Sequence, residues 1–313
     1  MKKISVVIPC YNEGKNILSM YKELDKVSKM TKDFELEIIY VNDGSRDNTI
    51  INLRNLAKKD RRVRYISFSR NFGKEAAMAA GFKYSTGDYV TVMDCDLQDP
   101  PELLLEMFVI LENTEYDCCA LYSDSYKNYS FIRRICTKLF YKIYSFLSSY
   151  KSHPGERDCR LMTRSMVNSL LELCEYNRYV KGIYNYIGFS VYWIKYDIPN
   201  RTRGNSKFSF IKLFKYAVEG ITSFSTKPLL ISALVGILFC LIAFIAIIFI
   251  IIRTLLYGDP VSGWPSLACI VIFVSGVQLF FLGIIGLYLS KIYLEVKERP
   301  LYIIKEKEKD LFN

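Results

Sequence analysis

Over its first hundred residues the chain alternates between two patterns. Short runs rich in β-branched and aromatic residues, at Lys3–Cys10, Leu36–Val41, Val63–Phe68 and Asp88–Met93, are separated by helical patterns about 10 to 20 residues long. Such alternation predicts an α/β domain with a mainly parallel sheet covered by helices, and its ligand belongs beyond the carboxyl ends of the strands. A further short strand is expected at Cys159–Met162.

Near the C-terminus the pattern changes. No charged side chain occurs between Pro228 and Ile252, and a second uncharged run extends from Pro265 to Ser290. Soluble helices of that length show a polar face, so both runs are expected to span a membrane. Only Arg253 and Asp259 are charged between them, whereas Lys215 and Lys227 precede the first and Lys291, Lys297, Arg299 and Lys305 follow the second. This asymmetry predicts a cell-membrane protein with both termini in the cytoplasm. Met1-Lys2-Lys3 leads into too short an apolar run for a signal peptide, in keeping with a cytoplasmic N-terminus.

Two more stretches have interfacial character. In Phe131–Leu147, Phe131, Ile135, Leu139 and Ile143 recur at helical spacing with Arg133, Arg134, Lys138 and Lys142 between them. This helix suits an anionic lipid surface or packs as an ordinary helix on the catalytic domain. Ser206–Phe224 is similar and runs into the first span. The expected organisation is therefore a catalytic domain over 1–205, with an interface helix at about 130–149. A juxtamembrane helix at 206–226, spans at 228–252 and 265–290, and a tail at 291–313 follow.

Composition narrows the partners. A formal charge of +10 would serve nucleic acid, an anionic membrane or a phosphorylated substrate. The basic residues cluster beside apolar segments, which assigns the charge to lipid headgroups and phosphorylated substrates rather than nucleic acid. The nine cysteines form no Cys-x-x-Cys pair and fall largely inside apolar runs, the pattern of reduced, buried thiols.

The residues after the four strand-like runs are polar: Pro9-Cys10-Tyr11-Asn12-Glu13, Asn42-Asp43-Gly44-Ser45, Ser69-Arg70-Asn71-Phe72-Gly73 and Asp94-Cys95-Asp96-Leu97-Gln98-Asp99. Turn and cap chemistry would account for most of them. Asp94 and Asp96 differ, because two carboxylates two residues apart at a strand end can face one hard cation, and oxygen ligands favour Mg²⁺ or Mn²⁺. A single histidine, His153, and scattered cysteines argue against zinc. The chain has neither a Gly-x-x-x-x-Gly-Lys-Ser/Thr loop nor a Gly-x-Gly-x-x-Gly turn, so phosphate would be held through metal and basic side chains.

In order and spacing the chain resembles the polyprenyl-phosphate glycosyltransferases of glycosyltransferase family 2, of the bactoprenol glucosyltransferase and dolichol-phosphate mannose synthase type. The runs that carry the resemblance are Ser5–Glu13, Val41–Ser45, Ser69–Glu75, Met93–Pro101, Gly220–Pro228 and Arg299–Tyr302. It implies a GT-A type nucleotide-sugar-binding fold. Pro9, Tyr11, Asn12 and Glu13 would lie against the base, Asp43 would contact the nucleoside, and Asp94, Asp96 and Gln98 would surround the metal and diphosphate. Arg201, Gly204, Ser206 and Lys207 match a loop that closes over diphosphate and acceptor, and Arg133 and Thr137 fall where similar enzymes hold the lipid phosphate. Asp158 matches an aspartate placed close to the reacting sugar and, with Asp96, is a catalytic candidate.

The implied reaction is inverting transfer of one sugar, UDP-glucose or UDP-N-acetylglucosamine being the expected donors, to undecaprenyl or another polyprenyl phosphate for cell-envelope glycosylation. Further expected partners are the bilayer, a second copy of the chain, a lipid flippase and a downstream glycosyltransferase. A processive polysaccharide synthase and a catalytically inactive scaffold are the alternatives. Against the first, neither Gln98 nor Gln278 stands in a Gln-x-x-Arg-Trp context. Three departures from the family pattern stand out. Leu121-Tyr122-Ser123 replaces Gly-x-Arg, Arg157-Asp158-Cys159-Arg160 replaces Gly-Asp-Phe-Arg, and Gly286-Leu287-Tyr288 replaces Gly-Glu-Tyr. Arg157 is expected to make up for the arginine absent at Ser123.

Overall fold

A computed structural model describes residues 1–123, 153, 155–176, 178–196, 222, 225–257 and 263–308. The expected interface helix at 131–147 and most of the juxtamembrane helix at 206–224 lie outside these residues.

The chain opens with β1 (Lys2–Cys10), α1 (Ile17–Met30), β2 (Phe34–Asn42), α2 (Thr49–Lys59), β3 (Val63–Phe68), α3 (Lys74–Tyr84) and β4 (Tyr89–Val92). It continues with α4 (Leu103–Asn113), β5 (Cys118–Tyr122), β6 (Glu156–Thr163), α5 (Arg164–Glu172), α6 (Val180–Tyr186) and β7 (Val191–Lys195). After it come α7 (Lys227–Tyr257), α8 (Trp264–Val296) and β8 (Ile304–Lys307).

The strands form one sheet in the order β7-β5-β6-β4-β1-β2-β3-β8. Its centre is parallel, β1 pairing with β2 and β4, and β2 with β3. The periphery is mixed: β6 runs antiparallel to β4 and β5, β8 antiparallel to β3, and β7 parallel to β5. The expectation of a mainly parallel sheet thus holds for the first four strands. Ile4, Val6, Val7 and Ile8 of β1 are fully buried, as a central strand covered on both faces requires. From β1 the chain steps outward through β2 and β3, then crosses back to place β4 on the other side of β1. That reversal is the switch point at which open α/β sheets bind ligands. Close packing of α3 on β1 depends on Gly81, where an added Cβ would lie 2.1 Å from Val7 Cγ1.

Five described cysteines, Cys10, Cys95, Cys118, Cys119 and Cys159, are free and buried, whereas Cys174 is exposed. α7 and α8 behave differently from the domain helices. Leu234, Leu241, Phe249, Leu279, Phe280 and Leu282 are all exposed on them, so both helices carry large apolar side chains that the described residues leave uncovered. Among the described residues, Phe273–Val296 is long and apolar enough to cross a bilayer, with a mean hydropathy of 1.9, and a shorter apolar stretch covers Lys227–Phe239. Tyr288 of α8 donates a 2.5 Å hydrogen bond to the Ser225 carbonyl just before α7.

Within the expected tail, residues 304–307 form an edge strand of the sheet, with Ser69 N–H donating to the Ile303 carbonyl at 3.0 Å. Glu306 takes a two-point ion pair from Arg54, and the Tyr302 ring stacks on Phe68 at 4.9 Å. At the end of α8, the Glu295 carboxylate accepts from Tyr176 N–H. One isoleucine followed by three charged residues, Ile304-Lys305-Glu306-Lys307, after a long apolar helix gave no local signal for a strand.

Candidate active site

The carboxyl ends of β1, β2, β3 and β4 converge on one edge, and three loops there are fastened to each other. Asn12, in the left-handed region at φ 57°, donates its N–H to Ser45 Oγ and accepts from Arg46 N–H, both at 2.9 Å. Asp43 is buried and accepts from Phe72 N–H at 2.6 Å and Gly73 N–H at 2.9 Å. Burial pushes its carboxyl up, and those two amide bonds oppose the shift. The two carboxylate oxygens of Asp43 therefore tie the β2 loop to the β3 loop. Gly44 beside it adopts φ 66°, and an added Cβ would sit 2.3 Å from the Arg70 carbonyl carbon. Gly44→Ala should lower the thermal midpoint by at least about 4 °C through left-handed strain and forced loop separation. A thermal scan with an unchanged midpoint would contradict that fastening.

Next to this cradle lies the densest charge cluster of the site. Lys74, the first residue of α3, places Nζ 2.5 Å from Asp94 Oδ1 and 2.6 Å from Asp158 Oδ2. Lys181 of α6 lies 3.8 Å from Asp158 Oδ1 and donates to the Glu156 carbonyl at 3.0 Å. Burial opposes ionisation of Asp158, but Lys74 and then Lys181 outweigh it and hold the carboxyl well below the usual carboxylate range. Lys74 is in turn held fully protonated, the two carboxylates overcoming its own burial. Asp158 thus joins two lysines contributed by two helices, and its hydrogen bond is to Lys74, not to Arg157 or Arg160.

Asp96 accepts from Gln98 N–H at 3.2 Å. Glu13 titrates high because of burial, opposed by its bond from Asn16, with the charges of Asp96 and Asp94 adding to the rise. This coupling places Glu13 within electrostatic reach of the Asp-x-Asp pair. Arg157 donates to Asp99 at 3.0 Å and, more weakly, to Gln98 Oε1 at 3.4 Å. It therefore flanks the acidic loop, while Ser123 is buried with its N–H on the Gly155 carbonyl. Beneath Asp158, Arg160 is fully buried and its guanidinium stacks 3.7 Å from the Tyr184 ring centroid.

Of the residues expected from sequence, Pro9, Tyr11, Asn12, Glu13, Asp43, Asp94, Asp96, Gln98 and Asp158 all fall on this edge. Arg133, Thr137, Arg201, Ser206 and Lys207 lie outside the described residues. Lys74 and Lys181 were not singled out by sequence. Lys74 had a usable signal, its place at the start of the helix after β3; Lys181 had none, because it reaches the site through α6, far away in sequence. A cleft of about 340 Å³ opens at the carboxyl ends of β2 and β3, lined by Tyr11, Ser45, Arg70, Lys305 and Glu306 among others. Asp94 and Asp158 are not among its lining residues.

Asp94 and Asp96 with the Gln98 amide offer hard oxygen donors of the kind Mg²⁺ or Mn²⁺ takes, and one Asp94 oxygen already meets the Lys74 ammonium at 2.5 Å. Among the described residues no three His, Cys, Asp or Glu side chains form a complete cage. A cation here would need further ligands from a substrate. The residues fit a metal shared with a diphosphate.

A parallel-centred sheet with carboxylates and lysines at its switch point is an α/β domain with a charged site where such sheets bind ligands. Residues 5–171 match the family model described as glycosyl transferase family 2. The chain is 42% identical over 303 residues to the provisionally named glycosyltransferase CsbB of Bacillus subtilis, covering 97% of this chain and 91% of that one. It is 39% identical over 304 residues to the SfII prophage-derived bactoprenol glucosyl transferase of Shigella flexneri, covering 97% and 98%. Among solved structures, glucosyl-3-phosphoglycerate synthase from Mycobacterium tuberculosis overlays on 71% of this chain and 78% of its own at 18% identity, with a TM-score of 0.46. From so remote a likeness no ligand is carried over. The chain belongs to glycosyltransferase family 2 and is a glycosyltransferase.

Proposed function

We propose that the protein transfers a single sugar, with inversion, from a nucleotide-sugar to polyprenyl phosphate at the cytoplasmic face of a membrane. UDP-glucose and UDP-N-acetylglucosamine are the proposed donors, and undecaprenyl phosphate the proposed acceptor. The observation that carries this reading is that kinship with a bactoprenol glucosyl transferase runs through the apolar helices as well as the catalytic domain, over 97% of the chain. α7 and α8 are read as two spans with both chain ends cytoplasmic, in line with the distribution of lysine and arginine around them.

In this reading an oxygen of the lipid phosphate attacks the anomeric carbon while the bond to the donor diphosphate breaks and its electron pair leaves with the nucleoside diphosphate. A phosphate monoester is already anionic at neutral pH, so the acceptor needs orientation more than deprotonation. Mg²⁺ or Mn²⁺ held by Asp94, Asp96 and Gln98 would supply Lewis-acid stabilisation of the departing diphosphate. Lys74 and Lys181 bring two ammonium groups to the same edge as potential partners for the departing diphosphate, and Asp158 holds both in place. With its carboxyl held so low, Asp158 is a poor proton acceptor, and its proposed part is to orient Lys74 and the reacting groups.

The test is an assay of the purified full-length protein with undecaprenyl phosphate and a panel of labelled nucleotide-sugars, with and without Mn²⁺. Metal-dependent formation of a single lipid-linked sugar is the expected result. Polymer formation, or no turnover with any donor, would overturn the proposal.

A further inference from the structure

The strand contributed by the segment beyond α8 has no part in the reaction as described, yet it forms one wall of the cleft at the carboxyl ends of β2 and β3. Lys305 and Glu306 line that cleft together with Tyr11 from the β1 loop, Ser45 from the β2 loop and Arg70 from the β3 loop. The position is not accidental crowding. Pairing of β8 with β3, stacking of Tyr302 on Phe68 and donation from Ser69 to Ile303 all hold the segment against the loop that follows β3. Arg54 matches the charge of Glu306, which leaves Arg46, Arg70 and Lys305 as the surplus among the charges lining the cleft. A positive cleft with a half-exposed tyrosine ring at its rim suits a flat heterocycle carrying phosphate.

We infer that β8 is part of the donor site: Lys305 and Glu306 bound the nucleoside end of the nucleotide-sugar, so the segment leaving the apolar helix helps to select the donor. The inference rests on the nucleotide-sugar reading above and adds residues to it. An ammonium at the rim can donate to the carbonyl edge of a pyrimidine or purine, and losing that partner lowers affinity measurably; Glu306, whose two oxygens are held by Arg54, shapes the wall instead of reading the base. A chain ending at Ser225 would then lose this wall along with its membrane helices, so it should bind nucleotide poorly even in detergent.

The test uses the full-length protein in detergent and calorimetric titration with UDP, uridine and inorganic pyrophosphate. Lys305→Ala, which leaves the Arg54–Glu306 pair intact, should weaken UDP and uridine by about fivefold to tenfold while leaving pyrophosphate unchanged. Glu306→Gln should also weaken UDP. Lys307→Ala, whose ammonium instead meets the Tyr84 hydroxyl at 2.8 Å, should leave UDP binding unaffected. Should Glu306→Gln lower the thermal midpoint, Lys305→Ala alone decides. Parental UDP affinity in a folded Lys305→Ala variant overturns the inference and leaves the nucleotide-sugar reading standing. Failure of the parent to bind UDP removes both.

Discussion

Asp96→Asn should abolish sugar transfer, by at least about a thousandfold, while the protein stays folded and keeps its thermal midpoint. The substitution removes one unit of charge from the strand end at nearly constant size, and among the described residues Asp96 takes part in no ion pair that folding would miss. Asp94→Asn should be as damaging to transfer but differ in a second respect. Asp94 takes one of the two short contacts from Lys74, so its loss would leave that ammonium to Asp158 alone. Manganese binding followed by electron paramagnetic resonance, in the presence of UDP, should show weakened association for both variants independently of turnover. Near-parental transfer by Asp96→Asn in either Mg²⁺ or Mn²⁺ would end the metal assignment at this residue.

The difference between these two aspartates could not be read from sequence. The Asp-x-Asp spacing just after an apolar strand was enough to mark both, because two carboxylates so close together at the carboxyl end of a sheet can face one hard cation. The lysine that separates their roles arrives from the start of α3, and nothing in the spacing announces which carboxylate it meets. The same limit governs the fold. β1 to β4 are legible because parallel, doubly covered strands read as continuous apolar runs, and β3 is found at its predicted bounds. β7 and β8 are not. Five residues of half-exposed Val191–Lys195 and four of Ile304–Lys307 gain their strand conformation from the edges on which they pair, so their stability is tertiary. Asp43 shows the converse. Its sequence context advertised a turn as well as a ligand, and its bonds to Phe72 and Gly73 make it the fastener of two loops.

Asp158→Asn should lower the single-turnover rate by about a hundredfold or more while donor affinity stays close to parental. The effect follows from geometry. Removing the carboxylate charge frees Lys74 to turn wholly to Asp94 and releases Lys181, so two cations leave the positions from which they face the reacting groups. A residue that only fastened its loop would behave differently: donor binding would fall and the rate at saturating substrate would hold. The pH dependence separates orientation from proton transfer. Because the folded carboxyl titrates well below its unfolded value near about 3.9, its stabilising contribution is fully present above that value. It is lost only as pH falls through the lower, folded one. The stability difference between parent and Asp158→Asn should therefore be flat from about pH 5 upward and shrink below about pH 4. Between about pH 5 and 8 the parental rate should show no inflection attributable to this carboxylate, since it stays ionised throughout. A parental pH–rate profile that loses a limb in Asp158→Asn would make it the proton acceptor instead, and a parental single-turnover rate in the variant would remove it from the reaction altogether.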